Sequence, residues 1–241
     1  GDMYSSDDGT LALRGAAKPS VSANGRFVAF STAQRLVPQD TNDNLDVYVR
    51  DMNVPVGTDR AASNAYTLVS ARDGGDVPAS YAPHDPVLPG RNPGADVWAN
   101  TAISADGTRV VFQTSETSDL PDHAAVDVPA GQVLVRDLTT HSTRLMTRQA
   151  GGGAPAGGAA GPAVLSGDGS TVVWAGGNTA GQTAFLPGER SDANIDYYLW
   201  RRVDGAITRR ITGMADLDDP ACNHATVVDP DPQIGRASCR E

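Results

Sequence analysis

A short pattern occurs three times along the chain and limits its fold more than any other feature. PSVSANGRFVAFST (Pro19 to Thr32), TAISADGTRVVFQT (Thr101 to Thr114) and PAVLSGDGSTVVWAG (Pro162 to Gly176) each set an Asx-Gly pair between two β-prone runs. Asn24-Gly25, Asp106-Gly107 and Asp168-Gly169 accept positive φ at both positions, which suits a two-residue type I′ hairpin turn, and β-branched and aromatic residues follow each pair. In all three copies an aromatic stands five residues after the glycine, as Phe30, Phe112 and Trp174. That fixed offset predicts one supersecondary unit used three times.

Each hairpin is followed by two further strand patterns. These are Leu45 to Asp51 and Tyr66 to Arg72 in the first copy, Gln132 to Leu138 and Ser142 to Gln149 in the second, and Asp196 to Arg202 and Ala206 to Gly213 in the third. In the first of them Leu45, Val47 and Val49 alternate with Asp46, Tyr48 and Arg50, as a half-buried strand requires. Four short antiparallel strands per repeat predict an all-β fold built as part of a β-propeller. Gly107 follows Gly25 by 82 residues and Gly169 follows Gly107 by 62. A common blade has roughly 40 to 50, so the excess belongs to loops.

The expected organisation follows. Residues 1–17 end a preceding blade, 18–75 form a blade, 76–98 a loop, 99–149 a second blade, 150–161 a Gly/Ala-rich connector, 162–213 a third blade and 214–233 the opening of another. The last eight residues, 234–241 (IGRASCRE), read as a translated sequencing adapter and are set aside as a non-native tail. Three blades with partial neighbours fall short of the 4 to 8 that close a ring, so the expected neighbours are remaining blades of the same chain.

The run from Pro19 to Asp51, the run AISADGTRVVF, and Arg136-Asp137-Leu138 after a third strand together resemble the TolB-like family of WD-repeat-type bacterial β-propellers, whose blades carry an S-x-D-G-x-x-V-A-F core. The resemblance covers about residues 10 to 232 and loosens in the third copy, where Trp200-Arg201 stands in the place expected for Arg50-Asp51. It implies a scaffold in an extracytoplasmic location, secreted or periplasmic, and no single activity. No signal peptide is visible in residues 1–17, and any such signal is expected upstream. No apolar run approaches the roughly 18 residues of a membrane span.

Charge and motifs narrow the function classes. A formal net charge of −10 argues against nucleic acid, whose phosphates want a basic groove, and weakens attraction to anionic membranes. With the tail set aside, Cys222 has no partner, so no disulfide is expected, and Cys222 with His224 supplies only two of the four ligands that zinc wants. The chain contains no G-x-S-x-G elbow, no H-E-x-x-H and no phosphate-binding G-x-x-x-x-G-K-[ST]. His84, His123, His141 and His224 are scattered singly in polar stretches. Trp174 and Trp200 fall in strands, whereas Trp98 falls in a loop that a ligand can reach.

In such a meander the second-to-third loop and the loop into the next blade emerge at one end. Those are the long loops here, Ala33 to Asn44, Asp73 to Asn100, Ser115 to Gly131, Ala150 to Gly161 and Gly177 to Ile195, and loops on a rigid scaffold carry function. The sharpest constellation among them is Asp40, Asn42, Asn44 and Asp46, whose hard oxygens at alternate positions match the first half of a calcium loop. Leu45 stands where that loop wants glycine, and Asp51 stands where it wants glutamate. A shorter echo occurs at Asp192, Asn194 and Asp196, and a looser one at Asp119, Asp122 and Asp127. The alternative is that these side chains cap turns by accepting backbone N–H bonds.

The expected function is a non-catalytic extracytoplasmic scaffold that binds a protein, peptide or glycan at the long-loop end, with calcium the one cofactor the spacing suggests. A rival expectation is the gating portion of a larger hydrolase resembling the prolyl oligopeptidase group, with its Ser, His and Asp beyond Gln233. A propeller glycosidase with facing carboxylates is a third.

Overall fold

The three repeated runs fold as three antiparallel four-stranded meanders. The computed structural model describes residues 17–42, 44–56, 64–75, 77–80, 95–96, 102–114, 118–120, 131–149, 160–177, 195–205 and 208–213. The first sheet contains β1 (Ala17–Val21), β2 (Phe27–Thr32), β3 (Asp46–Asp51) and β4 (Tyr66–Leu68). The second contains β5 (Ala95–Asp96), β6 (Arg109–Thr114), β7 (Val133–Asp137) and β8 (Ser142–Leu145), and the third β9 (Ala160–Leu165), β10 (Thr171–Gly177), β11 (Ile195–Arg202) and β12 (Thr208–Gly213). Among the described residues there is no helix. The first strand of the second sheet is split. Ala95 and Asp96, in the stretch expected as loop, pair with Thr114 and Gln113, and Ile103 then bridges to Val110.

Register makes the three sheets superimposable position by position. Phe30 stands opposite Tyr48, Phe112 opposite Leu134 and Trp174 opposite Leu199. Two residues further along, Val28, Val110 and Val172 face Arg50, Arg136 and Arg201. Arg201 is therefore the counterpart of Arg50, which corrects the sequence-based alignment of Trp200-Arg201 with Arg50-Asp51 by one position. The same register moves the expected echo of Asp46. Gly176 pairs with Tyr197 and Gly177 with Ile195, leaving Asp196 as the extra residue of a β-bulge.

The turns differ from the expected type. In each, the serine carbonyl accepts from the glycine N–H (Ser22 from Gly25, Ser104 from Gly107, Ser166 from Gly169, at 2.8 to 3.0 Å). Each serine N–H in turn donates to the carbonyl of Phe27, Arg109 or Thr171. Positive φ occurs at the three glycines and not at Asn24, Asp106 or Asp168. These are four-residue loops, and the physical reason is the serine. Its hydroxyl donates to the Asx side chain at 2.8, 2.6 and 2.6 Å and accepts the N–H of Phe27, Arg109 or Thr171 at 3.0, 2.9 and 2.9 Å. The Asx oxygen also accepts the N–H two residues on, which holds that residue in the ordinary right-handed region.

Sheets meet through these turns and through two arginines. The Ala23 N–H donates to the Ala105 carbonyl, and the Ala105 N–H to that of Gly167, so the three tips form a short main-chain relay. Arg136 is fully buried and reaches back to the first sheet's trailing segment, where Nη1 donates to the Ala71 carbonyl at 2.9 Å and Nη2 to that of Gly75 at 2.9 Å, beside Asp73. Arg201 repeats this one sheet later, donating to the Met146 carbonyl at 3.0 Å. Charge-assisted bonds to main-chain carbonyls are how buried guanidinium groups are tolerated. Residues 70–75 and 77–79, expected as the end of a strand reaching Arg72 and then a loop from Asp73, form a narrow hairpin engaged by the second sheet, with Ala79 N–H bonded to Ser70, Arg72 N–H to Val77 and Gly74 N–H to His141.

The main core lies between the sheets. Ala29, Val47 and Val49 of the first sheet, Val110, Val111, Phe112, Val133, Leu134 and Val135 of the second, and Ala163, Leu165, Val172 and Trp174 of the third form one cluster. Alternate residues of a strand point to opposite faces, so the consecutive buried residues of β6 and β7 mean that the second sheet is covered on both sides. Phe112 and Trp174, at most 1% exposed, each contribute about 3 kcal/mol by burial. The first copy of the repeated aromatic has a different setting. Phe30 is half-buried on the opposite face, 6.2 Å between ring centroids from Tyr48 and edge-on to Tyr66, in a smaller cluster with Leu36, Val37, Leu68 and Ala71.

Candidate functional site

The 33–44 loop is fixed by apolar anchors. Leu36 and Val37 are buried against Tyr48, Leu68 and Ala71, while Arg35, Pro38, Gln39 and Thr41 are exposed between and beyond them. A loop whose anchors are packed holds its exposed residues in place without a ligand, which lowers the ordering cost of binding.

At the root of this loop the structure brings together most of the expected oxygen ligands. Asp40, 4% exposed, accepts the Tyr48 hydroxyl on Oδ2 and the Asn42 N–H on Oδ1 at 3.3 Å. The Asn42 side chain accepts the Asn44 N–H at 2.7 Å, and the Arg35 Nε donates to the Asn42 carbonyl at 2.8 Å. Two consecutive Asx turns result, which is the capping role that the sequence left open. Asp46 opens β3 and is wholly buried, with Oδ1 accepting the Ser70 hydroxyl at 2.6 Å while Ser70 Oγ accepts the Val47 N–H at 3.0 Å. The other oxygen of Asp46, Oδ2, has no hydrogen-bond partner.

These surroundings shift the acid–base chemistry. Burial pushes the Asp46 carboxyl up to about 7, opposed by the Ser70 hydroxyl and Asn42 and reinforced by the charge on Asp40. Burial and then the bond to Asp40 raise the Tyr48 phenol far above its ordinary range, opposed by the Leu36 N–H, so the hydroxyl stays protonated and donates to Asp40.

Ser70 was not visible as a site residue in the sequence, yet a signal existed in the repeat. At the same register of the second sheet Gln132 Oε1 accepts the Thr147 hydroxyl at 2.5 Å, and Thr147 Oγ1 accepts the Val133 N–H at 3.2 Å. The pairs Asp46–Ser70 and Gln132–Thr147 thus tie the start of the third strand to the residues after the fourth.

The remaining expected ligands do not converge. Asp119 is tied to Arg72 at 2.5 Å and to the Ser80 N–H at 2.9 Å. Asp196 lies in the bulge of β11. Asp43, Asp122, Asp127, Asp192, Asn194, Trp98, His84, His123, His224, Cys222 and Cys239 lie outside the described residues. Among the described residues no three His, Cys, Asp or Glu side chains gather as a metal cluster, and no helix is long and apolar enough to cross a membrane.

The opposite end carries an open cleft of about 190 Å³ lined by Arg109, Asp137, Ser142, Arg144 and Asp204 among others. Its charges neutralise one another, with Arg109 Nε 3.1 Å from Asp137 and Arg144 3.7 Å from Asp204. At this size it falls below the roughly 300 Å³ at which small-molecule pockets begin.

No family model matches the chain, and no curated protein matches it. A solved structure that it resembles is the crystal structure of TolB from Acinetobacter baumannii, at 10% sequence identity and a TM-score of 0.29, over 85% of this chain and 45% of that one. The chain thus spans less than half the length of that protein.

Proposed function

We propose that the three sheets are consecutive blades of a β-propeller and that the chain is a non-catalytic extracytoplasmic scaffold, binding a protein, peptide or glycan at its long-loop end. The repeated register of three four-stranded meanders, each bonded to the next by the same turn position and the same arginine position, supports the propeller reading. One observation carries the binding reading. The 33–44 loop presents Arg35, Pro38, Gln39 and Thr41 to solvent from a backbone pinned by Leu36, Val37 and Asp40, a preformed surface of the kind that scaffolds use for recognition. A net charge of −10 favours basic or neutral partners over anionic ones.

The test is binding of the full chain to peptide and glycan arrays, with the triple variant Arg35→Ala, Gln39→Ala, Thr41→Ala beside a control at the opposite end, Thr140→Ala. Loss of the bound spots in the triple variant and their retention in the control is the expected result. Equal binding by both variants, or none by the wild type, defeats the reading.

A further inference from the structure

Neighbouring sheets are joined by the same contacts twice, and the series of three leaves one half of each contact unused at either side. At the turn tips the Ala23 N–H donates to Ala105 and the Ala105 N–H to Gly167. The exposed Ala23 carbonyl then lacks a donor, and the exposed Gly167 N–H an acceptor, among the described residues. The turn glycines repeat this. The space beside Gly107 is filled by the Phe27 ring and that beside Gly169 by Arg109, both from the preceding sheet, whereas the space beside Gly25 is empty. Arg136 and Arg201 reach back to carbonyls of the preceding sheet, but Arg50 bonds carbonyls of its own repeat.

Apolar side chains follow the same rule. Val110, Phe112, Val172 and Trp174, on the faces from which Arg136 and Arg201 reach back, are wholly buried. Their counterparts Val28 and Phe30 are half-buried, and Val21, paired with Val28, is 58% exposed. On the third sheet Val164, paired with half-buried Val173, is 39% exposed. Inside the chain these two positions touch, since Ser20, the counterpart of Val164, accepts the N–H of Ile103, the counterpart of Val21, at 3.3 Å.

We propose that the two free faces meet in a second copy of the chain, the third sheet of each copy packing on the first sheet of the other. Each face supplies what the other lacks, a donor tip for an acceptor tip and Val164 for Val21. Two such contacts, related by a two-fold axis, close a ring of six sheets, within the 4 to 8 of closed propellers, where three fall short. The inference rests on reading the sheets as consecutive blades. In dilute solution the chain is single and each outer sheet has one neighbour.

Light scattering of the full chain during gel filtration at about 100 μM, a hundredfold above a micromolar Kd, tests this, with twice the chain mass expected. Val21→Glu and Val164→Glu each leave an exposed carboxylate on the single chain but bury an unpaired one at both contacts of the ring, which weakens association at least about a hundredfold and halves the mass. Gly167→Pro, should either fail to fold, deletes only the free N–H at a turn position that proline favours, and lowers the mass likewise. A wild-type monomer overturns the proposal, assigns the faces to further sheets of the same polypeptide and leaves the blade reading standing. Dissociation by only one of the two glutamate variants overturns it, because a face then pairs with its own counterpart, and so does dissociation by none, because the copies then meet elsewhere. A dimer broken by both variants yet elongated rather than ring-shaped in small-angle scattering defeats the blade reading with it.

Discussion

A Cβ added at Gly107 would stand 2.2 Å from the Phe27 ring, whereas one added at Gly25 meets nothing within 4 Å, although φ is positive at both, +80° and +72°. Gly25→Ala therefore carries backbone strain alone, about 1 to 2 kcal/mol. Gly107→Ala adds overpacking of about 1 to 3 kcal/mol against the neighbouring sheet. Urea denaturation of the two variants separates the terms, and equal losses would mean that Phe27 does not sit on the second turn in solution. The same scale holds the acid sensitivity. At Asp137 burial is the largest influence and acts upward, but the Thr139 hydroxyl, the Thr140 N–H and the Arg109 guanidinium outweigh it and hold the carboxyl at about 2, below its ordinary 3.8. A folded value below the unfolded one gives stability that is complete above about pH 4 and lost as pH falls through about 2. Asp137→Asn should accordingly flatten the dependence of unfolding free energy on pH across that window; an unchanged slope would assign it to other carboxylates.

At the scale of the element, the arginine at the third-strand position has two settings and predicts two magnitudes. Arg136→Met leaves the Ala71 and Gly75 carbonyls without their donor and Asp73 without its cation, a loss of about 3 to 5 kcal/mol. Arg50 is half-buried and bonds carbonyls of its own sheet and the following turn, those of Asp51, Ala65 and Val54, so Arg50→Met costs about 1 to 2 kcal/mol. Chemical denaturation orders the two, and a larger loss at Arg50 would contradict the inter-sheet role of Arg136. These roles were hidden in the sequence for a physical reason. The strands were legible because alternation and turn pairs are local, but the acceptor of Arg136 is a main-chain carbonyl 65 residues away, and carbonyls leave no mark on residue identity. Turn type was misread because Asn-Gly suits two loops, and the choice between them is made by the hydroxyl of a serine two residues earlier. The oxygen set at Asp40 to Asp46 was legible as spacing, whereas Ser70, 24 residues on, was not.

Across the whole molecule, coverage of the sheets is unequal, and stability should follow it. In β7 Val133, Leu134, Val135 and Arg136 are all buried, and in β6 Val110 to Thr114 are, because sheets lie on both faces. In β10 buried Val172 and Trp174 alternate with half-buried Val173, and Val164 of the neighbouring β9 is 39% exposed, so one face of the third sheet is less covered. In the first sheet β1 leaves Val21 58% exposed, and Phe30 joins only the smaller cluster. Opening β6 and β7 requires separating both neighbouring sheets, whereas either outer sheet can open by losing one interface. Native-state hydrogen exchange should therefore rank the amides of Val111, Leu134 and Val135 above those of Ala29, Val49 and Val173 in protection. The gap should be largest at low denaturant, where sub-global openings dominate, and should close as global unfolding takes over. Equal protection in all three sheets would mean that they open as one unit, and the interfaces made by Arg136, Arg201 and the turn relay would then be as strong as the strand pairing within each sheet.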